Sequence, residues 1–520
     1  MKNQSRYLLI ITILLGLYYI GLGIYLNSLG YFSQEALFYI EKTKIILEGL
    51  GNRLKVMGLT SPILPFYTSF IFSSIKGGIL APVIASAVCT AILFYLMASV
   101  LIKRANDIFY VFILLIVFAF HPGILYAACS GKSIAIVLIF FFLFFFNLLK
   151  FYRSNTTFHV SIASICLVIL IFCDYKFIWL TLFFIPLVLF ITLQSLNLSE
   201  RESIFRLSQS FNNPSLRRKL INKTFALYII LFVLPLACVI CYKLLNLTHS
   251  NDLDYFNESP YATWTVLADK LSFDQLSTST FYRLPETSIL ISAKIVVFCP
   301  MILVALYLFR DSTYQILTLL TPFAFVEFLH IKYEKVFLAH QYYLIFLILS
   351  LLCILYKTQT IKNQYVLKLL VGVLAFVQLF TGFIFLQNSS ISGERNFIAV
   401  LFNRAPDTRQ DQNRDLANYL NRLPEGSHVL VDDAIAYPVV AFTNNIQRLT
   451  LPYQGVFLSA IEAPDKYDDY ILLATEKNEV TGFTQLNNKY VPVIKKANST
   501  LKLMRVYETD DWVLYKIFDD

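Results

Sequence analysis

The residues of this chain best placed to do chemistry are one carboxylate, Glu35, and a set of cations at the ends of long apolar runs. A carboxylate opening a helix can take a proton from a hydroxyl, and lysine or arginine can neutralise an anionic group as it departs. The candidates for the second task are Arg53, Lys132, Lys176, Lys332 and Lys335. A lysine at the end of an apolar helix also sits there simply to reach water, so it is their clustering on one face that favours a ligand. Lys294, Glu327 and His330 fall inside apolar runs, where charges face protein or a water-filled cavity. Glu327 and His330, at i and i+3, share a helical face and would either line such a cavity or hold helices together. His121-Pro122 reads as a kink.

Other patterns carry no chemistry. Gly131-Lys132-Ser133 resembles the end of a phosphate-binding loop, but Tyr126 stands where the first glycine is required and no strand precedes it. Asp432-Asp433 follows a short apolar strand and fits a metal position or a plain strand-end turn. All eight cysteines lie in apolar segments, which argues against a disulfide framework, and the nearest two, Cys238 and Cys241, sit on one membrane-length run and read as helix packing.

The elements that must position these groups are mostly membrane helices. The chain of 520 residues is 57% hydrophobic and 15% charged, against about 45–50% apolar in an average soluble domain. Apolar runs long enough to cross a bilayer fall near 7–27, 79–101, 108–127, 133–149, 159–173, 177–194, 224–246, 287–309, 312–331, 337–356 and 366–386, about eleven in all. Basic residues gather in alternate linkers, most densely at Arg201, Arg206, Arg217, Arg218, Lys219 and Lys223, which places the N-terminus inside and the C-terminus outside. This distribution also accounts for the net charge of +9 and excludes nucleic acid as a partner. Lys2 and Arg6 before the first run favour a retained signal anchor.

Two outer loops follow, at 28–78 and about 247–286. In the first, Ala36, Tyr39, Ile40, Ile46 and Leu47 alternate at helical spacing with Glu35, Glu41, Lys42, Lys44 and Glu48, predicting an amphipathic helix along the membrane interface that Gly49 and Gly51 stop. In the second, 262–270 has the pattern of a short helix. The tips Ser130-Gly131-Lys132 and Asp174-Tyr175-Lys176 would share the outer surface with the first loop. From 388 to 520 the composition turns polar and reads as a small soluble α/β domain, with a helix over 414–423 and strands at 429–431, 470–473, 501–507 and 512–517.

The stretch from Tyr31 to Tyr67, with its acidic residue, alanine and aromatics opening a helix and Ser61-Pro62-Ile63-Leu64-Pro65-Phe66-Tyr67 entering the next span, resembles the first extracytoplasmic loop of GT-C-fold, polyprenol-dependent membrane glycosyltransferases. The likeness is to the protein mannosyltransferase and aminoarabinose transferase-like group. It implies a polytopic helical protein of the bacterial plasma membrane, taking a sugar from a polyprenyl-phosphate carrier to a lipid, glycan or protein acceptor. Glu35 would be the catalytic base. Lys176, opening a proline-containing span, and Lys335 with Tyr342 and Tyr343 match the family's phosphate-side segments; Lys132, Arg53, Glu327 and His330 complete the candidate substrate-binding set. One departure is plain: Gln34 occupies the family's usual aspartate position. The residues indicate no metal, and leave open whether a divalent ion assists. A non-catalytic relative that binds lipid-linked sugar or a partner, and a lipid-linked sugar transporter, are the competing readings. Against the transporter stands the absence of a repeat between the halves.

Overall fold

In the computed structural model the residues described are 2–53, 56, 63–74, 78–104, 107–154, 156–195, 214–263, 291–333, 337–357, 364–389, 391–478, 484–495 and 502–518. Lys335 and most of the helix expected at 262–270 lie outside them.

Each of the eleven apolar runs is helical. Among the described residues seven helices are long and apolar enough to cross a membrane, two further runs are helix pairs broken by bends of 62° and 98°, and the other two contain the shorter apolar helices Thr157–Cys173 and Tyr342–Lys357. The protein is thus a multi-pass membrane protein. Both bends have a chemical cause. Proline lacks the amide hydrogen that continues the helical ladder, and Pro122 and Pro300 stand at the two breaks. At the first, His121 Nδ1 accepts from the Gly123 amide at 3.2 Å, so the expected kink is capped by its own histidine.

The helix predicted in the first loop is present, over Gln34–Glu48, and ends before Gly49 as expected. Its environment differs from the expectation. An interfacial helix would keep its polar face wet, yet every residue from Glu35 to Ile46 is buried, Glu41 and Lys42 included. The cover comes from the C-terminal tail: Phe32, Phe38, Ile40 and Ile45 share one hydrophobic core with Leu416, Val429, Tyr437 and Val440. The charged face is matched by charge and hydrogen bonds on the tail rather than by water, which is what makes its burial tolerable.

The tail carries a five-stranded sheet in the order β2-β1-β3-β5-β4. The strands are β1 (Val429–Leu430), β2 (Leu449–Thr450), β3 (Tyr470–Ala474), β4 (Lys502–Glu508) and β5 (Trp512–Phe518). β1 runs parallel to β2 and β3, while β5 is antiparallel to β3 and β4. All five residues of β3 are buried, as its unbroken apolar run requires of a strand covered on both faces. The sequence reading gave four of the strands; two-residue β2 is too short to carry a period. It also missed the helices Asp433–Phe442 and Gln485–Lys495, each interrupted by a proline. Asp432, read as a metal position or a turn, is the N-cap of the first: its Oδ1 accepts from the Ala434 amide at 3.2 Å.

Candidate functional site

Glu35 is built into its place from both sides. Ser33 caps the loop helix, accepting from the Ala36 amide at 3.1 Å, and donates to the Ser130 carbonyl at 2.6 Å. The first turn of the helix is thereby fixed to the 130–133 turn, and Glu35 lies against it. One carboxylate oxygen, Oε1, accepts from the Ser133 amide at 3.0 Å and from the Ser133 hydroxyl. The other, Oε2, lies 4.0 Å from Lys132 Nζ and, among the described residues, has no hydrogen-bond donor. Lys132 Nζ in turn sits 4.8 Å over the ring of Tyr126. The close approach needs glycine: Gly131 has φ +73°, and a Cβ there would meet Pro82 Cβ at 2.9 Å and Ala36 Cβ at 3.0 Å.

Tyr39, one helical turn beyond Glu35, is also buried. Burial pushes its hydroxyl pKa well up, the charge of Glu35 adds to this, and a hydrogen bond with Ser133 opposes it. A cleft of about 20 Å³, lined by Tyr39, Ser69, Ser86, Lys132 and Ser133, opens beside these groups; that is room for about one water.

A second cluster surrounds Lys176. Asp174 Oδ1 accepts from the Lys176 amide at 3.0 Å, and its Oδ2 accepts from the Tyr342 hydroxyl at 2.8 Å. The Lys176 side chain is buried. Tyr39 joins the two clusters, because the charges of both Glu35 and Asp174 act on it. Beginning at Tyr175, an apolar groove of about 700 Å³ runs between the Ile178–Ser195 helix and the segment around the π-helical turn Ile229–Val233, past Trp179, Leu182, Phe225 and Phe232. Lys332 Nζ lies 3.4 Å over the Trp179 ring.

Two of the other expected site residues, Arg53 and Glu327, serve helix ends. Arg53 Nη1 donates to the carbonyls of Ile46 and Leu47 at 3.0 and 3.4 Å, closing the C-terminus of the loop helix. Glu327 Oε1 accepts from the Ser292 amide at 2.6 Å, at the start of the Ile291–Phe298 helix. His330 lies one turn beyond Glu327, half-buried, and Lys294 is buried. Gln34 faces away from Glu35's partners: its side-chain carbonyl accepts from the Tyr437 hydroxyl at 2.7 Å. Sequence reasoning missed Ser133, Tyr39 and Asp174 as site residues. The first stood in the discarded Gly-Lys-Ser triplet, and the last in a tip read only as a tip. Among the described residues no group of three or more His, Cys, Asp or Glu side chains is arranged to hold a metal ion.

No protein-family model and no curated protein sequence matches this chain. Solved structures do. ArnT from Cupriavidus metallidurans bound to undecaprenyl phosphate superposes with a TM-score of 0.55 at 12% identity, over 98% of this chain and 97% of that one. The apo state of the same protein gives 0.53 at 12% identity, over 99% and 98%. At this identity the likeness is one of fold, and it covers both the membrane helices and the tail. The chain has the GT-C fold that the first-loop resemblance implied.

Proposed function

We propose that this protein is a membrane glycosyltransferase that moves a sugar from a polyprenyl-phosphate carrier to a lipid, glycan or protein hydroxyl at the extracytoplasmic face of a bacterial plasma membrane. The observation that carries this reading is the state of Glu35. One oxygen is fixed by Ser133 and the other, among the described residues, is left without a donor beside the Lys132 ammonium. A carboxylate held this way can accept a proton from an acceptor hydroxyl at Oε2 while Ser133 keeps it from turning. The acceptor oxygen then bonds to the sugar's anomeric carbon, and the bond from that carbon to the phosphate oxygen breaks. Polyprenyl phosphate leaves with the bonding electrons, and Lys132 and Lys176 are the cations available to neutralise it.

Three further features support the reading. The apolar groove is lined by Tyr175, the residue next to Lys176, and its volume and apolar lining suit a polyprenyl chain. The structural neighbour ArnT was solved with undecaprenyl phosphate. Gln34, at the family's usual aspartate position, is occupied with the tail, which leaves the acid–base role to its neighbour Glu35. The transport reading rested on intramembrane charge, and the Glu327 carboxylate is engaged as a helix cap.

The test is transfer of labelled sugar from polyprenyl-phosphate donors in proteoliposomes, comparing the intact chain with Glu35→Gln and Glu35→Ala. Both variants are expected to insert normally and lose at least about a hundredfold in kcat. Retention of activity in both would remove Glu35 from the chemistry. An intact protein that is inactive across a donor panel but retains polyprenyl phosphate would favour the non-catalytic relative.

A further inference from the structure

We propose that the C-terminal tail positions Glu35 for transfer by clamping the loop helix through Tyr437, Asp433 and the backbone of Thr443. The inference rests on the glycosyltransferase reading of Glu35 and assigns the tail a part in it.

The loop helix has two working faces. Glu35 and Tyr39 meet the 130–133 turn and the Asp174 cluster, while Gln34, Phe38, Glu41 and Ile45, at i, i+4, i+7 and i+11, lie along a second stripe about 100° round the helix. That stripe is covered by the Asp433–Phe442 helix. The Tyr437 hydroxyl donates to Gln34 at 2.7 Å, and the Phe38 and Tyr437 rings meet edge to face at 5.9 Å. Lys42 Nζ lies 3.1 Å from Glu41 Oε2 and 3.4 Å from Asp433 Oδ2, with all three side chains buried. At the far end Lys44 Nζ donates to the Thr443 carbonyl at 2.8 Å. Contacts therefore fix the helix at its first, second and third turns, and the first lies on the residue next to Glu35. A carboxylate whose productive oxygen must point at a hydroxyl is sensitive to small shifts of its backbone, since a misplacement of about 1 Å can cost about a hundredfold in rate.

Tyr437→Phe removes one oxygen and keeps the ring packing, and Asp433→Asn removes the charge that meets Lys42. Each is made in the full-length protein, and two readouts are taken: amide hydrogen exchange over residues 34–46, and kcat and KM for donor and acceptor. The expected result is faster exchange in that segment and a kcat lowered about tenfold or more, with donor KM within about twofold of the parent. Unchanged exchange in both variants overturns the clamp. Faster exchange with unchanged kcat also overturns it, and leaves the enzyme reading standing if Glu35→Gln is inactive. Were Glu35→Gln fully active, the role of Glu35 as base would fail and the positioning role with it, even if exchange showed the tail docked on the helix.

Discussion

At the scale of single residues, the site turns on how one carboxylate is shared. Ser133 gives Glu35 Oε1 both its amide and its hydroxyl hydrogen, so the side chain presents Oε2 in one orientation. Ser133→Ala keeps the amide bond and removes the hydroxyl. Glu35 should then turn more freely, lowering kcat about tenfold with little change in donor KM, and Ser133→Thr, which restores the hydroxyl, should recover most of it. Steady-state kinetics of the two variants side by side checks this. Equal losses in both would point to packing rather than to the hydroxyl. The serine was visible in the sequence, but only as part of a triplet that fails as a nucleotide loop. Nothing in its local spacing announces a partner 98 residues earlier.

At the scale of elements, the join between the loop helix and the tail helix is a buried set of charges. Two carboxyl groups, Glu41 and Asp433, face one ammonium, Lys42, with Tyr255 and Tyr437 near them, and Asp432 lies beside Asp433 and Tyr261. Burial pushes Glu41 well above the usual carboxylate range, with Lys42 opposing the rise and Asp433 adding to it. Asp432 is raised by burial and by Asp433 from 3.8 to about 6, against the pull of the Gln485 and Ala434 amides. An acid whose pKa is raised on folding contributes stability that is fully present below its ordinary pKa and lost as pH rises through the folded value. Asp432 should therefore favour the folded tail most near pH 4 and progressively less as pH rises through about 6. In Asp432→Asn that slope should flatten. Hydrogen exchange of residues 433–442 measured across this range reads it directly; a slope identical in parent and variant would assign the pH dependence to Glu41 or elsewhere.

At the scale of the whole molecule, the apolar groove is lined by Tyr175, the residue next to Lys176. Filling the groove should separate recognition of the lipid chain from chemistry at the phosphate. Leu182→Trp, at a position that is 44% exposed along the groove, should raise KM for a long polyprenyl donor several-fold while leaving a short-chain water-soluble donor unaffected. Equal effects on both donors would place the lipid chain somewhere else.

What the sequence determined by itself was what rests on local period and composition: the eleven apolar helical runs, the loop helix and its stop before Gly49, the kink at Pro122, and four of the five strands. Those features follow from side chains within a few turns of one another. The tertiary structure decided the rest. It turned the helix predicted to float at the interface into part of the tail's own core. It brought Ser133 and Lys132 to Glu35, and Tyr342 to Asp174. It also directed Arg53 and Glu327 to helix ends. A charged stripe such as Glu41, Lys42 and Lys44 has the same sequence pattern whether water or a buried Asp433 covers it. Only the fold, which carries residue 433 to residue 42, distinguishes the two.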